Sequence, residues 1–458
     1  MSRFKRKLAQ IKHHTAAGSH LANVAADHDA VRNLFQHGAQ GKVVYLDVTR
    51  TMRRDRGWHT GITRVEFRYI RHFFDYSDAP VFFVAQTRGE RFELVSRRRL
   101  ARHLARLRWI DDVTELTGPD PAANHRRGGL SATRRLAHAY ADALVPARRR
   151  APLPPGVYLN VSHAGIDRAE LLRTLRDIMG MTIAIYVHDL IPIDFPEYSG
   201  NEDPDRHRDR MLNVLEFADL VLTNSEATRD RLAAFASSSG RPLPPTHVAV
   251  IGVEEDFLAA AAGAVARPGT QRPYFLYVST IQPRKNHQLL LALWRRLAAE
   301  RGDRAFDLVL VGRRGWLSEG VFRFVEHSDV GRKYVREHND LADSALARLY
   351  QGATALLFPS LAEGWGMPIA EAQAFGQPVI ASNLPVFREA SQGLATLIDP
   401  IDGMQWYETI CRYVDDPPCR ERHAERVRSR YRPPTWAAHM SRVDELLSAR
   451  VRTRSRCM

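Results

Sequence analysis

The stretch Phe358-Pro359-Ser360-Leu361-Ala362-Glu363-Gly364-Trp365-Gly366-Met367-Pro368-Ile369-Ala370-Glu371-Ala372 follows an apolar run, turns on two glycines and opens a helix around a proline. Proline is well tolerated in a first helical turn, where its missing N–H has no intrahelical acceptor to lose. The helix is therefore predicted to start near Met367, which leaves Glu363 in the preceding loop and puts Glu371 in the second turn. Gly364 and Gly366 allow the backbone to come close to a ligand, and the free N–H groups of the first turn suit a phosphate. Two acids of a glycosidase pair sit about 5–9.5 Å apart. On one continuous helix these two would be about 12 Å apart along the axis, and the loop alters that figure, so spacing alone does not decide. Contacts from the two acids to two parts of one extended ligand are the more natural reading.

A second motif lies upstream, Thr280-Ile281-Gln282-Pro283-Arg284-Lys285-Asn286-His287, at the end of a strand and the entry to a helix. Arg284 offers a planar fork and Lys285 a compact charge, a combination that neutralises a diphosphate. Either motif alone has an ordinary reading, as solvated acids or as cations at a helix start. Two such motifs at strand ends of one sheet point to a shared ligand.

Working outward, strands and helices alternate. Strands are predicted at Tyr274–Val278, Asp307–Val311, near Tyr334, and at Ala355–Phe358, Pro378–Ala381 and Ala395–Ile398, with helices between them. The same rhythm holds upstream: Val43–Val48, Val81–Val84, Val157–Asn160, Thr182–Val187, Leu220–Leu222 and Val248–Ile251. These runs are continuously apolar, the pattern of a parallel sheet covered on both faces. The fold class is α/β, two doubly wound Rossmann-like domains facing a central cleft. The expected organisation is a basic arm over residues 1–40 and an amino-terminal domain over 41–258 with an arginine-rich insertion at 97–155. A linker at 259–272 leads to a donor-binding domain at 273–432. A carboxy-terminal helix over 433–458, mainly Trp436 to Ala449, is expected to return to the first domain.

With 458 residues the chain suits two domains. Its net charge of +14 is almost wholly arginine, lysine occurring only at Lys5, Lys7, Lys12, Lys42, Lys285 and Lys333. In the segment Arg97 to Ile110, Leu100, Leu104 and Leu107 share one helical face among arginines. Such a helix either docks on its own domain or rests on an anionic membrane. No nucleic-acid module is evident. Three cysteines, Cys411, Cys419 and Cys457, suggest neither a disulfide framework nor zinc. The basic start, MSRFKRKLAQIKHH, is not followed by an apolar stretch, so no secretory signal is expected and a cytoplasmic location is.

Residues 273–400 resemble the retaining GT-B glycosyltransferases of family 4. The E-x7-E motif of that family matches Glu363 and Glu371, and its donor-phosphate cations match Arg284 and Lys285. Similarity continues through Val311-Gly312-Arg313-Arg314-Gly315-Trp316, Leu349-Tyr350 and Pro378-Val379-Ile380-Ala381-Ser382-Asn383. The resemblance implies that Glu363 contacts the donor sugar, that Glu371 contacts the ribose, and that N–H groups around Gly364, Trp365 and Gly366 hold sugar and phosphates. Trp365 departs from the more usual Phe but keeps an aromatic ring. Upstream, Asp47-Val48-Thr49 with Thr60-Gly61-Ile62-Thr63-Arg64-Val65 is similar to bacterial O-antigen mannosyltransferases. So is His188-Asp189-Leu190-Ile191-Pro192-Ile193 with Phe195-Pro196-Glu197-Tyr198. That similarity implies GDP-mannose as donor and places His188 beside the reacting sugar or the acceptor. A purely structural His188 stays open, as does an ordinary βα turn at Gly61, whose helix start could otherwise face the donor diphosphate. Ser225-Glu226 reads first as a helix cap.

The expected activity is retaining transfer of a sugar to a glycan or lipid-linked oligosaccharide, by front-face substitution, with no cofactor and no metal. Inner-membrane contact is an expectation; nucleic acid is not. A UDP-sugar donor, an inactive membrane-associated scaffold, a phosphorylase or sugar-nucleotide epimerase, and an arginine-rich nucleic-acid binder are the alternatives. The phosphorylase would need a pyridoxal lysine, for which only Lys285 and Lys333 stand in the second domain.

Overall fold

A computed structural model of the chain describes residues 43–54, 61–75, 81–87, 92–110, 155–200, 203–263 and 272–454. The arm read at 1–40, the insertion from 111 to 154 and linker residues 264–271 lie outside the described residues. The chain divides into two compact units. One takes in residues up to Gly165, Ala169–Ala184 and the chain from Glu445; the other takes in Ile166–Arg168 and Ile185–Asp444.

The first unit begins with β1 (Val44–Asp47), α1 (Thr49–Met52), α2 (Gly61–Asp75), β2 (Val81–Gln86) and β3 (Phe92–Val95). Next come α3 (Arg97–Arg106), β4 (Val157–Asn160) and α4 (Ala169–Arg173). Its strands lie in the order β3-β2-β1-β4. β1 runs parallel to both neighbours, and β3 is an antiparallel edge on β2. Every residue of β1, β2 and β4 is buried, as continuous apolar runs require of strands covered on both faces. The polar stretch read as a loop from Thr49 starts instead with a helical turn. Asp47 accepts the Thr49 N–H at 2.8 Å and Glu66 accepts the Thr51 N–H at 3.4 Å, so two side chains satisfy amides that a free loop would give to water. In α3, Leu100, Leu104 and Leu107 are buried within the protein while Arg98, Arg102 and Arg106 are exposed. Arg97 is buried too, donating to the Phe74 and Phe73 carbonyls at 3.1 and 3.3 Å with its guanidinium 4.5 Å from the Phe74 ring. The apolar stripe of this helix is thus taken up by its own unit.

Strand β5 (Thr182–Val187) runs from the residues of the first unit into those of the second. The second unit continues with α5 (Ile191–Asp194), α6 (Pro204–Phe217), β6 (Leu220–Thr223), α7 (Glu226–Ser238), β7 (Thr246–Val248) and α8 (Glu255–Ala262). The alanines read as the start of a linker close α8, in keeping with alanine's helix propensity. A six-stranded sheet follows: β8 (Tyr274–Val278), β9 (Asp307–Val311), β10 (Val335–His338), β11 (Ala355–Phe358), β12 (Val379–Ser382) and β13 (Thr396–Ile398). Among its helices are α9 (His287–Arg301), α10 (Glu319–His327), α11 (Asp329–Tyr334), α12 (Asp343–Gly352), α13 (Met367–Ala374) and α14 (Pro385–Ala390). Then come α15 (Gly403–Asp415), α16 (Pro417–Arg430) and α17 (Trp436–Arg454). The first turns of α17 lie on the chain after β7: His439 Nδ1 is 2.8 Å from the Val250 carbonyl, and Gly252 leaves no room for a Cβ beside the Trp436 nitrogen.

The strand order of this sheet is β10-β9-β8-β11-β12-β13, with every pairing parallel. From β8 the chain winds outward through β9 and β10; from β11 it winds the other way through β12 and β13. The reversal between β8 and β11 opens a crevice at their carboxyl ends, where ligands of such sheets bind. The loops leaving those two strands carry Arg284-Lys285 and Glu363. Among the described residues no helix is long and apolar enough to cross a membrane.

Candidate active site

The loop from β8 passes through a 3-10 turn, Pro283–Lys285, and then Asn286 adopts φ 55° and ψ 37° before α9 begins. Asparagine is among the few residues that tolerate the left-handed region, and here its side-chain amide donates to the Pro400 carbonyl at 3.0 Å. The turn aims both cations at one carboxylate. Arg284 Nη1 donates to Glu363 Oε2 and to the Ala362 carbonyl, each at 2.9 Å, and Lys285 Nζ donates to Glu363 Oε1. Ser360 Oγ adds a third donor to Glu363 at 3.0 Å, and the Leu361 N–H donates to the Arg284 carbonyl at 2.7 Å. The two loops are therefore laced together through side chains and main chain alike.

Burial works against charge throughout this cluster, and the pairing decides the outcome. Burial alone would push the Glu363 carboxyl up, but Lys285 and Arg284 outweigh it and hold it at about 2. Lys285 is pulled down to about 8 by burial and by Arg284, with Glu363 acting the other way. Arg284 moves upward: burial opposes its charge, but Glu363 prevails. Near neutral pH the cluster holds two cations and one anion, a net positive charge on the loops that leave the carboxyl ends of β8 and β11. His287, at the start of α9, is pushed down to about 3 by burial and by Lys285, so it stays neutral.

Beyond Glu363 the chain is tightly confined. A Cβ on Gly364 would lie 2.4 Å from the His188 carbonyl oxygen, so no other residue fits that backbone path. Gly366 adopts φ +97° as it leads into α13, again a glycine conformation. Trp365, between them, is buried, and its indole Nε1 meets no acceptor among the described residues. Glu371, in the second turn of α13, is buried and accepts from the Tyr350 hydroxyl at 2.8 Å; the Tyr350 ring stacks on Phe375.

Residues 264–430 match the family of glycosyl transferases group 1. The fold is GT-B. Anabaena HepE, solved in complex with UDP, superposes with a TM-score of 0.59 at 15% identity, over 89% of this chain and 100% of its own. Sucrose-phosphate synthase from Thermosynechococcus elongatus gives 0.59 at 18%, over 89% and 98%. Among curated proteins, the Escherichia coli serotype-specific mannosyltransferase WbdA is 29% identical over 225 residues, 46% of this chain and 27% of its own length. The E. coli O-antigen chain mannosyltransferase B is 30% identical over 222 residues, 47% of this chain and 56% of its own length. The chain thus spans between about a quarter and a little over half the length of these two curated relatives.

Within this GT-B framework, Glu363, Arg284 and Lys285 come together in one cluster, with Gly364, Trp365 and Gly366 on the chain directly after it. Glu371 is on the same stretch, engaged with Tyr350. His188 reaches the cluster through its main chain: its carbonyl sits against Gly364 and accepts from Asn224 Nδ2 at 2.7 Å, while its ring lies 4.9 Å from the ring of Tyr186. Gly61 is an exposed first residue of α2 in the other unit, and the residues before it, from 55, are outside the described residues.

Asp189, quoted with His188 in the sequence but given no role of its own, acts electrostatically on both Arg284 and Lys285. Other participants escaped the sequence reading. Ser360 lay inside the quoted stretch, three residues before Glu363, and its spacing could have marked it. Ser225 does cap α7, accepting from the Thr228 N–H at 3.0 Å, but its hydroxyl also lies 3.3 Å from the Gly364 carbonyl. Glu389 accepts backbone N–H groups from α7 across more than 160 residues of sequence, and no local signal announces it. Among the described residues no group of three or more His, Cys, Asp or Glu side chains is placed to hold a metal ion.

Proposed function

We propose that the protein is a retaining glycosyltransferase that moves mannose from GDP-mannose to a hydroxyl of a glycan or lipid-linked oligosaccharide in polysaccharide or O-antigen assembly. The observation that carries this reading is the meeting of Arg284 and Lys285 with Glu363 where the chain reverses between β8 and β11. The mannosyltransferase relatives support the sugar and the process. In this reading the donor diphosphate lies on Arg284 and Lys285, and Glu363 takes hydroxyls of the sugar. Gly364 and Gly366 let the main chain approach, and Glu371 serves the ribose. The acceptor hydroxyl forms its bond to C1 on the face from which the diphosphate leaves. The departing phosphate oxygen takes the acceptor proton as the C1–O bond breaks. Arg284 and Lys285 stabilise the charge that develops on that oxygen, so no metal is called for. His188 is proposed to stand beside the reacting sugar or the acceptor.

The exposed Arg98, Arg102, Arg106 and Arg108 suit an electrostatic contact with an anionic inner-membrane surface. A cytoplasmic protein with peripheral attachment is the arrangement we propose. Because Leu100, Leu104 and Leu107 are already buried, the contact would be by charge and not by insertion.

The test is transfer from radiolabelled GDP-mannose to lipid-linked acceptor by the purified chain, beside a panel of UDP-sugars. Arg284→Ala should lower kcat/KM by roughly 10²–10³-fold. Turnover with a UDP-sugar alone would replace the donor. An unchanged kcat/KM in Arg284→Ala would remove the assignment.

A further inference from the structure

The carboxylate of Glu389, in α14, accepts the backbone N–H groups of Glu226 and Ala227, each at 2.7 Å. Those are the first residues of α7, where N–H groups lack intrahelical acceptors and the helix dipole favours a negative charge. The same turn faces the other way through hydroxyls. Ser225 Oγ and Thr228 Oγ1 lie 3.3 and 3.4 Å from the Gly364 carbonyl, and Ser225 Oγ is 3.0 Å from Thr228 Oγ1. Asn224, one residue earlier, donates to the His188 carbonyl, against which the Gly364 backbone is pressed. The opening of α7 is therefore gripped on one side by Glu389 and grips the peptide after Glu363 on the other.

We infer that Glu389 is a positioning residue of the transfer site: by holding the first turn of α7 it fixes the main chain at Gly364, and with it Glu363 and Trp365. The inference takes the Glu363 cluster as the transfer site, as proposed above. A simple helix cap would end its influence at α7. A positioning residue also controls the loop on the far side of that turn, which carries the carboxylate paired with Arg284 and Lys285.

Hydrogen exchange of the full chain without donor separates these. In Glu389→Gln one N–H loses its acceptor and the other keeps only a neutral one, so amides at 226–228 should exchange faster. If Glu389 positions the site, the segment 361–366 should speed up with them by about tenfold, the order carried by one hydrogen bond to a charged group. Strand β8 should not change. Glu389→Asp, which keeps the charge, should recover part of the protection. Faster exchange confined to 226–228 would reduce Glu389 to a cap and overturn the inference. Should Glu389→Gln fail to fold, Thr228→Val removes the hydroxyl that links Ser225 to the Gly364 and His188 carbonyls and should loosen 361–366 in the same way; unchanged exchange there would also overturn it. Where transfer is measurable, the two substitutions combined should cost kcat/KM little more than the worse single one, because they act along one path. Fully additive losses would count against the inference. The exchange result stands whether or not the purified chain transfers sugar, so failure of this inference and failure of the enzymatic reading remain distinct.

Discussion

The reversal between β8 and β11 has a counterpart in the first unit between β1 and β4, where the chain winds through β2 and β3 on one side and onward from β4 on the other. Both reversals carry buried carboxylates: Glu363 in the loop after β11, and Asp47 at the end of β1 with Glu66 of α2. Burial is the largest influence on every one of them, yet the outcomes are opposite. Glu363, gripped by two cations, is held at about 2. Asp47 and Glu66 are pushed up to about 6 and about 7, because burial outweighs the hydrogen bonds from Tyr158 and Thr49 at Asp47 and the attraction of Arg50 at Glu66, which the Asp47 carboxylate counters. The Tyr158 hydroxyl donates to Asp47 at 2.6 Å, and backbone N–H groups of α1 donate to both acids. Arg50 is the strongest influence opposing burial at Glu66, whereas Arg53 is the weakest at Asp47, and among the described residues neither acid has two cations bonded to it as Glu363 has. One crevice thus keeps a charged cluster ready to meet an anion, while the other uses acids as hydrogen-bond hubs that shape a turn. Burial does not tell the two apart; the partner cations do.

The sharpest way to break that contrast is to strip the cations from one side. Arg284→Met with Lys285→Met leaves Glu363 buried and uncompensated, a defect that costs about 3–5 kcal/mol. Adding Glu363→Gln should restore most of the loss, since the harm lies in the lone charge. Denaturant unfolding of the double and triple variants measures this, and a double variant within 1 kcal/mol of the parent would mean the cluster is far wetter than it looks.

The two reversals should also respond to pH with opposite slopes. Glu363 has a lowered folded pKa, so its contribution is present above about 4.5 and is lost as pH falls toward about 2. Glu66 has a raised one, so its contribution is full below about 4.5 and is lost as pH rises through about 7. Asp47 follows the same course from 3.8 to about 6. From pH 5 to 8 the parent should therefore lose stability relative to Glu66→Gln, by on the order of 3 kcal/mol at most. Melting temperatures across that range read the difference directly. A parallel pair of curves would show that Glu66 does not titrate there.

Activity offers a finer probe of the charged side. Lys285 at about 8 loses its proton as pH rises past that value, so kcat/KM for the donor should fall on an alkaline limb near pH 8, by up to about tenfold per unit. Lys285→Arg should move that limb out of the measurable range. A limb that stays in place belongs to some other group.

Much of the charged reversal was legible in the sequence, and for a physical reason: its residues act within short stretches whose local rules are strict. β11 spans the predicted Ala355–Phe358, and the helix after it starts at the predicted Met367, because apolar run, glycines and proline each constrain the backbone nearby. The other reversal was opaque for the converse reason. Glu66 reads as an ordinary polar position on a helix until α1 folds beneath it and Thr51 turns its N–H inward. The strand predicted over Val248–Ile251 forms over Thr246–Val248, and the Val250 carbonyl faces His439 of α17, close to 190 residues away in sequence. Glu389 is the same kind of case. Long-range pairs of this sort leave no local pattern to read.

The smallest expected effect lies at Trp365, where the sequence departs from the usual Phe. Its buried indole N–H has no acceptor among the described residues, and an unpaired buried donor costs about 1–3 kcal/mol. Phenylalanine would remove the donor but also some packing, so Trp365→Phe should change stability without donor by about 1 kcal/mol or less. The donor is what gives the substitution meaning. If the bound nucleotide-sugar supplies the acceptor, Trp365→Phe should raise the donor Kd several-fold while the melting temperature of the free protein barely moves. A variant that binds GDP-mannose as tightly as the parent would make the indole N–H a tolerated defect of the loop and leave recognition to Glu363 and its two cations.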